Sequence, residues 1–171
     1  MSETKLDSLD QIINNLNFKL LEHGFVKAGC EWNYKDICSP FNRLYIVSSG
    51  TGKVENNEES TLLESGNMYL VPLQSTYNYK CSHRLEKFYI HFRIELIAGR
   101  DLFEECRSCQ TLPIDKKLVE ELLQKGKSGR INDYISIKSM LLSCISSFLE
   151  PYSTRISRDL SSSMKHAEIY E

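Results

Sequence analysis

The 171-residue sequence lacks any long hydrophobic run. No apolar stretch approaches the roughly 20 residues that a helix needs to cross a bilayer. The first seven residues, Met-Ser-Glu-Thr-Lys-Leu-Asp, also lack the basic-then-apolar order of a secretory signal peptide. These two absences predict a cytoplasmic protein that has no membrane partner.

The sequence also lacks an excess of charge of one sign. It carries 21 Lys and Arg against 23 Asp and Glu, which gives a net charge of −2. Proteins that bind duplex nucleic acid need a clustered basic face for the phosphates, and this charge balance does not supply one. A single-strand platform would require Lys and Arg interleaved with the aromatic residues. Neither kind of nucleic-acid binding is therefore expected of this chain alone.

Several chemical motifs are missing as well. Residues 50–53, Gly-Thr-Gly-Lys, have neither the spacing nor the following helix of a phosphate-binding loop, and no nucleophile has a base at a matching interval. The six cysteines lack the spacing of a disulfide framework, so reduced thiols are expected. Cys106 and Cys109 have the spacing of half a zinc site or a redox pair, which leaves a chemical role and a purely structural role open.

What the sequence does contain is a series of short strand-like segments. β-Branched and aromatic runs alternate with Gly, Asn or Pro at intervals of about eight to twelve residues, which is typical of an antiparallel sandwich or barrel. The predicted strands are Phe18–Leu21, Phe25–Tyr34, Asn42–Ser49, Met68–Val71, Tyr77–Cys81 and Leu85–Leu96. In addition, Gly50–Gly52 predicts a bend or bulge at a barrel corner, Asn56–Glu58 a hairpin turn and Lys35–Pro40 a loop.

Three sequence motifs of this region resemble those of a known protein family. Arg43 to Gly52 reads Arg-Leu-Tyr-Ile-Val-x-x-Gly-x-Gly, Gly66 to Pro72 reads Gly-Asn-Met-Tyr-Leu-Val-Pro, and Tyr89 to Phe92 reads Tyr-Ile-His-Phe. Their order and spacing are similar to those of the N-terminal sensor domain of AraC-family transcription regulators, over about residues 25–96. The resemblance implies a mainly β fold with C-terminal α structure: a cupin-type antiparallel β-barrel (jelly roll) followed by two or three helices.

The domain boundaries follow from this resemblance and from changes in pattern. Residues 1–17 are predicted to form an N-terminal arm or a helix that starts at Asp7 or Ser8, and residues 18–98 the effector-binding barrel. Residues 99–151 are predicted to form a helical dimerisation segment and residues 152–171 a Ser-rich linker that begins a new helical pattern. The family resemblance implies that a helix-turn-helix domain starts there, so DNA binding is expected only through a domain that this sequence does not contain.

Two helices are predicted after Gly99, where the hydrophobic period changes from two to about 3.6. Asp115 is the expected N-cap of a helix that ends at Gly126, and Ile131–Leu149 is a longer helix ended by Pro151. The inward stripe of the longer helix is predicted to be Tyr134, Ile137, Met140, Leu141, Ile145, Phe148 and Leu149. Because this stripe is wider than one barrel contact needs, the helix is expected to pair with its copy in a homodimer.

The candidate ligand-binding residues come from alternation along the strands and from the resemblance. Lys87, Tyr89 and His91 share one face of the last long strand, opposite Phe88 and Ile90, and alternation alone does not say which face is inside. The resemblance implies that positions 79, 87 and 89 lie in a ligand pocket, and alternation extends the set. The predicted ligand-binding residues are Trp32, Arg43, Tyr45, Tyr77, Tyr79, Lys87, Tyr89 and His91.

Together these features predict the effector-sensing and dimerisation domain of an AraC-like transcription regulator. It would bind a small polar effector, either sugar-like or an anionic metabolite, without catalysis, cofactor or metal. One alternative is a cupin-fold enzyme such as a sugar isomerase. The His-x-His-x-x-x-Glu phrase of the metal-binding cupins is replaced here by Arg43 to Ile46, and the four histidines are scattered. The other alternative is a packed interaction module that binds no ligand.

Overall fold

The structure is a computed structural model, and it describes residues 13–154 and residue 156. The chain divides into two compact units, one that ends at Leu123 and one that begins at Gln124. In the described part of the first unit the strands are β1 (Asn17–Ala28), β2 (Asn33–Cys38), β3 (Asn42–Glu55), β4 (Ser60–Glu64), β5 (Asn67–Val71), β6 (Thr76–Lys80), β7 (Leu85–Ile97), β8 (Arg100–Asp101) and β9 (Gln110–Pro113). The helices are α1 (Lys116–Gly126) and α2 (Ile131–Leu149), and a 3-10 turn over Glu150–Tyr152 follows α2.

The strands form two antiparallel layers that share one long strand. The first layer has the order β1-β7-β3-β5-β9, and β8 adds to β7. The second layer contains β2, β6 and β4, and both β4 and β6 pair with the end of β3. All of these pairings are antiparallel. The predicted fold class, a mainly antiparallel β structure followed by helices, is therefore confirmed.

Strand β3 passes from one layer to the other at a glycine. Residues 42–50 pair with β7, and residues 51–55 pair with β4. The register against β7 shifts between Val47 and Ser49, and Gly50 follows with φ of +77°. A Cβ at Gly50 would lie 2.1 Å from the carbonyl oxygen of Arg84, so only glycine fits this corner. The bend or bulge predicted at Gly50–Gly52 is confirmed.

The barrel interior lies between the two layers. Buried side chains from β3, β4, β5, β6 and β7 meet there, and they include Tyr45, Val54, Leu63, Tyr69 and Tyr79. On β7 the odd-numbered residues face this interior, because Lys87 pairs with Val47 and Tyr89 pairs with Tyr45. The even-numbered residues Phe88, Ile90, Phe92 and Ile94 are buried on the other side of the strand. The question that alternation left open is thus answered in favour of the Lys87 and Tyr89 face.

The first part of the barrel differs from the sequence prediction. The predicted strands Phe18–Leu21 and Phe25–Tyr34 are joined in β1, which runs through His23 and Gly24 but ends at Ala28, where a turn follows. The register of β1 against β7 shifts between Leu20 and Glu22. Strand β2 occupies much of the Lys35–Pro40 segment that was predicted to be a loop. Pairing with β6 makes it a strand, and a register shift between Tyr34 and Ile37, with Asp36 at φ of +52°, interrupts its alternation.

A second difference lies after Gly99, where the prediction placed only helices. The short strands β8 and β9 pair with β7 and β5 there. Buried Asp101 connects this segment to the barrel, because its carboxylate accepts hydrogen bonds from Asn42 Nδ2, the amide of Ile94 and the amide of Phe103, each at 2.9 Å. A four-residue strand on a sheet edge has too few residues to show alternation, which is why the period did not reveal it.

The helices begin and end close to the predicted positions. The amide of Lys117 donates to Asp115 Oδ1 at 2.8 Å, which confirms Asp115 as a helix cap. In the second unit, α2 buries Ile137, Leu141, Ile145 and Phe148 as predicted. No helix in the described ranges is long and apolar enough to cross a membrane.

The prediction for one residue of the α2 stripe, Tyr134, was wrong. Tyr134 is 48% exposed, and the neighbouring Asp133 is buried instead. The Asp133 carboxylate accepts hydrogen bonds from Ser128 Oγ at 2.6 Å and from Arg130 Nε at 2.7 Å, which fixes the start of the helix in this rotation. The predicted N-terminal helix and the linker after residue 152 fall mostly outside the described residues, of which 13–15 are helical.

Candidate functional site

A cavity of about 420 Å3 lies inside the barrel of the first unit. The predicted site residues that line it are Trp32, Arg43, Tyr45, Tyr79, Lys87, Tyr89 and His91. The residues that line it but were not predicted are Glu22, Val26, Tyr34 and Ile37. The structure thus brings all of the predicted residues except Tyr77 into one space, and the size of that space suits a small molecule.

The register between β3 and β7 places the polar side chains on one surface. Arg43 lies opposite His91, and Tyr45 lies opposite Tyr89. Cross-strand partners project from the same face of a sheet, so these side chains share one wall of the cavity. Tyr79 comes from β6 in the other layer and closes the opposite wall, with its ring in edge contact with Trp32 at 5.5 Å.

Lys87 is the most unusual residue of the cavity because it is a lysine in the middle of a central strand and only 2% exposed. Its Nζ lies 3.3 Å from the ring centroid of Tyr45 and 3.8 Å from that of Trp32. No carboxylate among the described residues forms an ion pair with it. Burial, and to a smaller extent the charge of Arg43, hold the pKa of Lys87 well below its usual value. Two aromatic faces are therefore the partners of this ammonium.

Arg43 is the second cation of the cavity and is fixed by several contacts. Its guanidinium donates to the Tyr79 hydroxyl at 3.2 Å and to Ser39 Oγ. It also lies 5.1 Å from the ring centroid of Phe41. Burial raises the pKa of Tyr79 to about 12, although the Arg43 charge opposes that shift, so the hydroxyl stays neutral and can donate onward into the cavity.

Glu22, His91 and Tyr89 form a polar cluster at the open side of the cavity. The Tyr89 hydroxyl donates to one Glu22 oxygen at 3.1 Å, and His91 Nδ1 lies 2.9 Å from the other. The Glu22 side chain is 58% exposed, whereas that of His91 is 17% exposed. Burial, followed by the Arg43 charge, lowers the pKa of His91 below 6.5, so the ring is neutral at neutral pH. Gly24 leaves room for the Tyr89 ring, since a Cβ there would lie 2.9 Å from it.

Tyr77 is placed elsewhere in the barrel. Its hydroxyl donates to the Glu59 carboxylate and lies 3.5 Å from the carbonyl oxygen of Arg107. Glu59 also accepts a hydrogen bond from the amide of Cys109 at 2.6 Å. Tyr77 and Glu59 therefore connect the turn after β3 with the loop before β9 through hydrogen bonds. Tyr77 does not line the cavity.

The cysteine pair lies in this same loop. Cys106 is buried, and none of the six cysteines forms a disulfide. Burial raises the pKa of Cys109 to about 12, so its thiol is protonated at neutral pH. Nowhere in residues 13–154 do three or more His, Cys, Asp or Glu side chains converge as metal ligands.

The lining residues that the sequence prediction missed have identifiable causes. Glu22 follows the register shift of β1 and lies just beyond the predicted strand Phe18–Leu21. Ile37 belongs to the strand that was predicted as a loop. Val26 and Tyr34 do show a signal, because both lie on the predicted alternation face that contains Trp32. Extending the site along that face would have found them.

Comparisons with known proteins give a structural likeness and no sequence match. No protein-family model and no curated protein matches the sequence. ToxT K231A from Vibrio cholerae strain SCE256 aligns with a TM-score of 0.51 and 11% identity, over 81% of this chain and 56% of the ToxT chain. A second Vibrio cholerae ToxT structure aligns with a TM-score of 0.51 and 10% identity, over 78% of this chain and 58% of the ToxT chain. A cupin-2 domain protein from Shewanella frigidimarina NCIMB 400 aligns with a TM-score of 0.35 and 19% identity, over 45% of this chain and 70% of the other chain.

This likeness concerns the fold. ToxT is an AraC-family regulator, and the present chain spans little more than half of its length. At 10–11% identity the similarity establishes a shared architecture, a cupin-type barrel followed by helices. The comparison with ToxT therefore shows a shared fold, and fold alone does not assign a function.

The buried ammonium leads to a prediction about stability. Replacing Lys87 by Met should raise the free energy of unfolding by about 1–2 kcal/mol at neutral pH, because an apolar side chain of similar length removes a desolvated charge. Urea unfolding measures the change. Exposed Lys19 on β1 is the matched control, and Lys19→Met should shift stability by less than about 0.5 kcal/mol.

Comparing the wild type with Lys87→Met also predicts how the stability difference changes with pH. The fold lowers the pKa of Lys87 below 10.5, so the unfolded chain binds more protons between the folded pKa and 10.5. Wild-type stability relative to Lys87→Met should therefore increase as pH rises through this window, and the advantage of the variant should shrink. A less stable Lys87→Met protein, or a stability difference independent of pH up to 10.5, would show that the ammonium is well solvated.

Proposed function

We propose that this chain is the effector-sensing domain of an AraC-like transcription regulator, and that its effector is a small polar ligand bound inside the barrel. The observation that carries the proposal is the cavity of about 420 Å3, in which aromatic rings alternate with fixed hydrogen-bonding groups. Cavities of this size that hold a few convergent polar groups are typical binding sites for small molecules.

The polar groups of the cavity are held in place by hydrogen bonds within the protein. Arg43 is held by Tyr79 and Ser39, and His91 and Tyr89 are held by Glu22. A ligand that binds such groups loses little free energy to side-chain ordering, which favours affinity for a small molecule. The rings of Trp32, Tyr45 and Tyr79 offer faces for the CH groups of a sugar or for a planar body.

The two alternative functions have less support. A packed interaction module would fill the barrel with side chains, whereas this barrel contains a cavity. A metal-dependent isomerase needs several histidines around one ion, whereas the cavity lining contains one histidine, His91, which is paired with Glu22. We therefore favour binding over catalysis.

Sensing requires that the bound ligand change the contacts of other parts of the protein. The cavity lining comes from β1, β2, β3, β6 and β7, so a ligand would contact both layers of the barrel at once. In a regulator of this class the ligand would change how a separate DNA-binding domain is presented, which is a coupling free energy between two sites.

The ligand proposal predicts a defined role for Tyr89. Native mass spectrometry of the purified chain should identify a bound small molecule, and Tyr89→Ala should weaken its binding by about 1–3 kcal/mol through loss of a packed, hydrogen-bonded ring. The only tryptophan of the chain, Trp32, lies in the cavity, so its indole NMR signal reports binding directly. Exposed Phe25 on β1, which does not line the cavity, provides the control, and Phe25→Ala should bind as tightly as the wild type. Equal affinity of the wild type and Tyr89→Ala would refute the role of Tyr89.

We also propose that the chain forms a homodimer through α2. The buried stripe cannot supply the interface, since Leu141 and Ile145 are inaccessible within one chain. Another apolar surface is available at the start of the helix, where Ile131 is 75%, Tyr134 48% and Ile135 66% exposed. Exposed apolar residues that cluster on one helix are typical of a contact surface.

The dimer proposal predicts that Ile135→Glu lowers the association constant by about tenfold or more, because a charge would be buried at the interface. Sedimentation velocity at micromolar concentrations measures this change. Ser143 is exposed on the same helix, and Ser143→Glu adds the same charge away from the apolar cluster. The proposal fails if the wild type is monomeric at tens of micromolar, or if both variants dissociate equally.

A further inference from the structure

The charges that line the cavity do not balance. Arg43 and Lys87 are two basic side chains, and Glu22 is the one acidic side chain among the lining residues. His91 does not add to this balance, because burial keeps its ring neutral at neutral pH. The lining therefore has one more basic than acidic side chain, within an interior where charge–charge interactions are strong.

The two cations lie on adjacent aromatic rings with no carboxylate between them. Lys87 Nζ lies 3.3 Å from the ring centroid of Tyr45, and the Arg43 guanidinium lies 5.4 Å from that of Tyr79. The two ring centroids are 6.4 Å apart. Glu22 is already engaged by His91 and Tyr89 at the open side. Two buried like charges repel each other, and an anion bound beside both would remove that repulsion.

We infer that the ligand of this cavity is a small organic monoanion whose carboxylate binds Lys87 Nζ and the Arg43 guanidinium. This inference rests on the proposed function, since it specifies the chemical class of ligand for the same site. Charge-assisted hydrogen bonds from an ammonium and a guanidinium are the usual means of holding a carboxylate. A bound carboxylate would also favour the protonated form of Lys87, which burial alone disfavours.

The rest of the ligand is limited by the volume and the walls of the cavity. A water molecule occupies about 30 Å3 of liquid volume, so 420 Å3 has room for about a dozen non-hydrogen atoms. The faces of Trp32 and Tyr45 flank the position of Lys87 Nζ, and Val26 and Ile37 add apolar surface. Such walls suit a compact, flat body rather than a fully hydroxylated one. A carboxylate on a small ring or an unsaturated chain fits this description.

The test compares two probes of the same shape, benzoate and its neutral counterpart benzamide. Each is titrated into the 171-residue chain, and binding is followed by the indole NMR signal of Trp32. Benzoate should bind at least about tenfold more tightly than benzamide, because hydrogen bonds to charged groups contribute more than neutral ones. Lys87→Met should remove this preference, and Lys19→Met, which deletes an exposed lysine, should retain it. Lys87→Gln serves as a second neutral variant, and thermal unfolding checks that each variant is folded.

The outcomes separate this inference from the proposed function. Equal affinity for benzoate and benzamide, or an unchanged benzoate preference in the folded Lys87 variants, would overturn the monoanion inference. The absence of saturable benzoate binding at millimolar concentration would overturn it as well. D-Xylose, a neutral polyol, is titrated in parallel. If xylose binds and benzoate does not, the cavity is still a ligand site and the proposed function stands while the anion assignment falls.

Discussion

A lysine ammonium enclosed between two aromatic rings is the interaction on which the interior of this barrel depends. Lys87 occupies a central position of β7, the strand that pairs with both β1 and β3. Its contacts with Tyr45 and Trp32 are each worth about 2 kcal/mol when desolvated. Burial of an ammonium costs several kcal/mol, so the rings offset only part of that cost. The barrel therefore keeps a destabilising group that an apolar residue could replace.

The presence of a buried lysine at position 87 is explained more readily by a role in binding than by a role in folding. Fold stability would favour an apolar residue at position 87, as on the opposite face of the same strand, where Phe88 and Ile90 are buried. Binding sites often carry groups that are unsatisfied until a ligand arrives, and the fold stabilises them from elsewhere. In this protein the barrel corner at Gly50 and the hydrogen bonds of Asp101 provide that support. The excess of basic side chains in the cavity and the excess stability expected of an apolar variant are thus both consequences of Lys87.

Much of the barrel could be predicted from the sequence because its signals are local. The alternation along β7, the glycine corner in β3 and the Asp115 cap depend on neighbouring residues and are confirmed. The features that were missed depend on pairing between distant segments. Strand β2 contains a register shift and a residue at positive φ, so its alternation is broken, and only β6 makes it a strand.

The cavity was predictable to the extent that it follows from alternation. Tyr79, Lys87 and Tyr89 lie on strands whose period is regular, and the structure brings them together with Trp32, which lies in the turn between β1 and β2. Glu22 was missed because a register shift precedes it, and Tyr77 was included because alternation cannot tell one end of a barrel from the other. The rotation of α2 was also hidden, since it is set by the buried carboxylate of Asp133. Alternation also could not show which face of β7 points inward, because that depends on where the second layer of the barrel packs.

The pKa of the Lys87 ammonium is the measurement that tests this account most directly. Lysine side-chain NMR signals of the wild type and of Lys87→Met can be followed between neutral pH and pH 10.5, and the signal missing from the variant identifies Lys87. The account predicts that this one lysine titrates well below the usual value, because it is buried without a carboxylate partner. If every lysine of the wild type titrates near 10.5, Lys87 is solvated or paired, and the central claim about the cavity is contradicted.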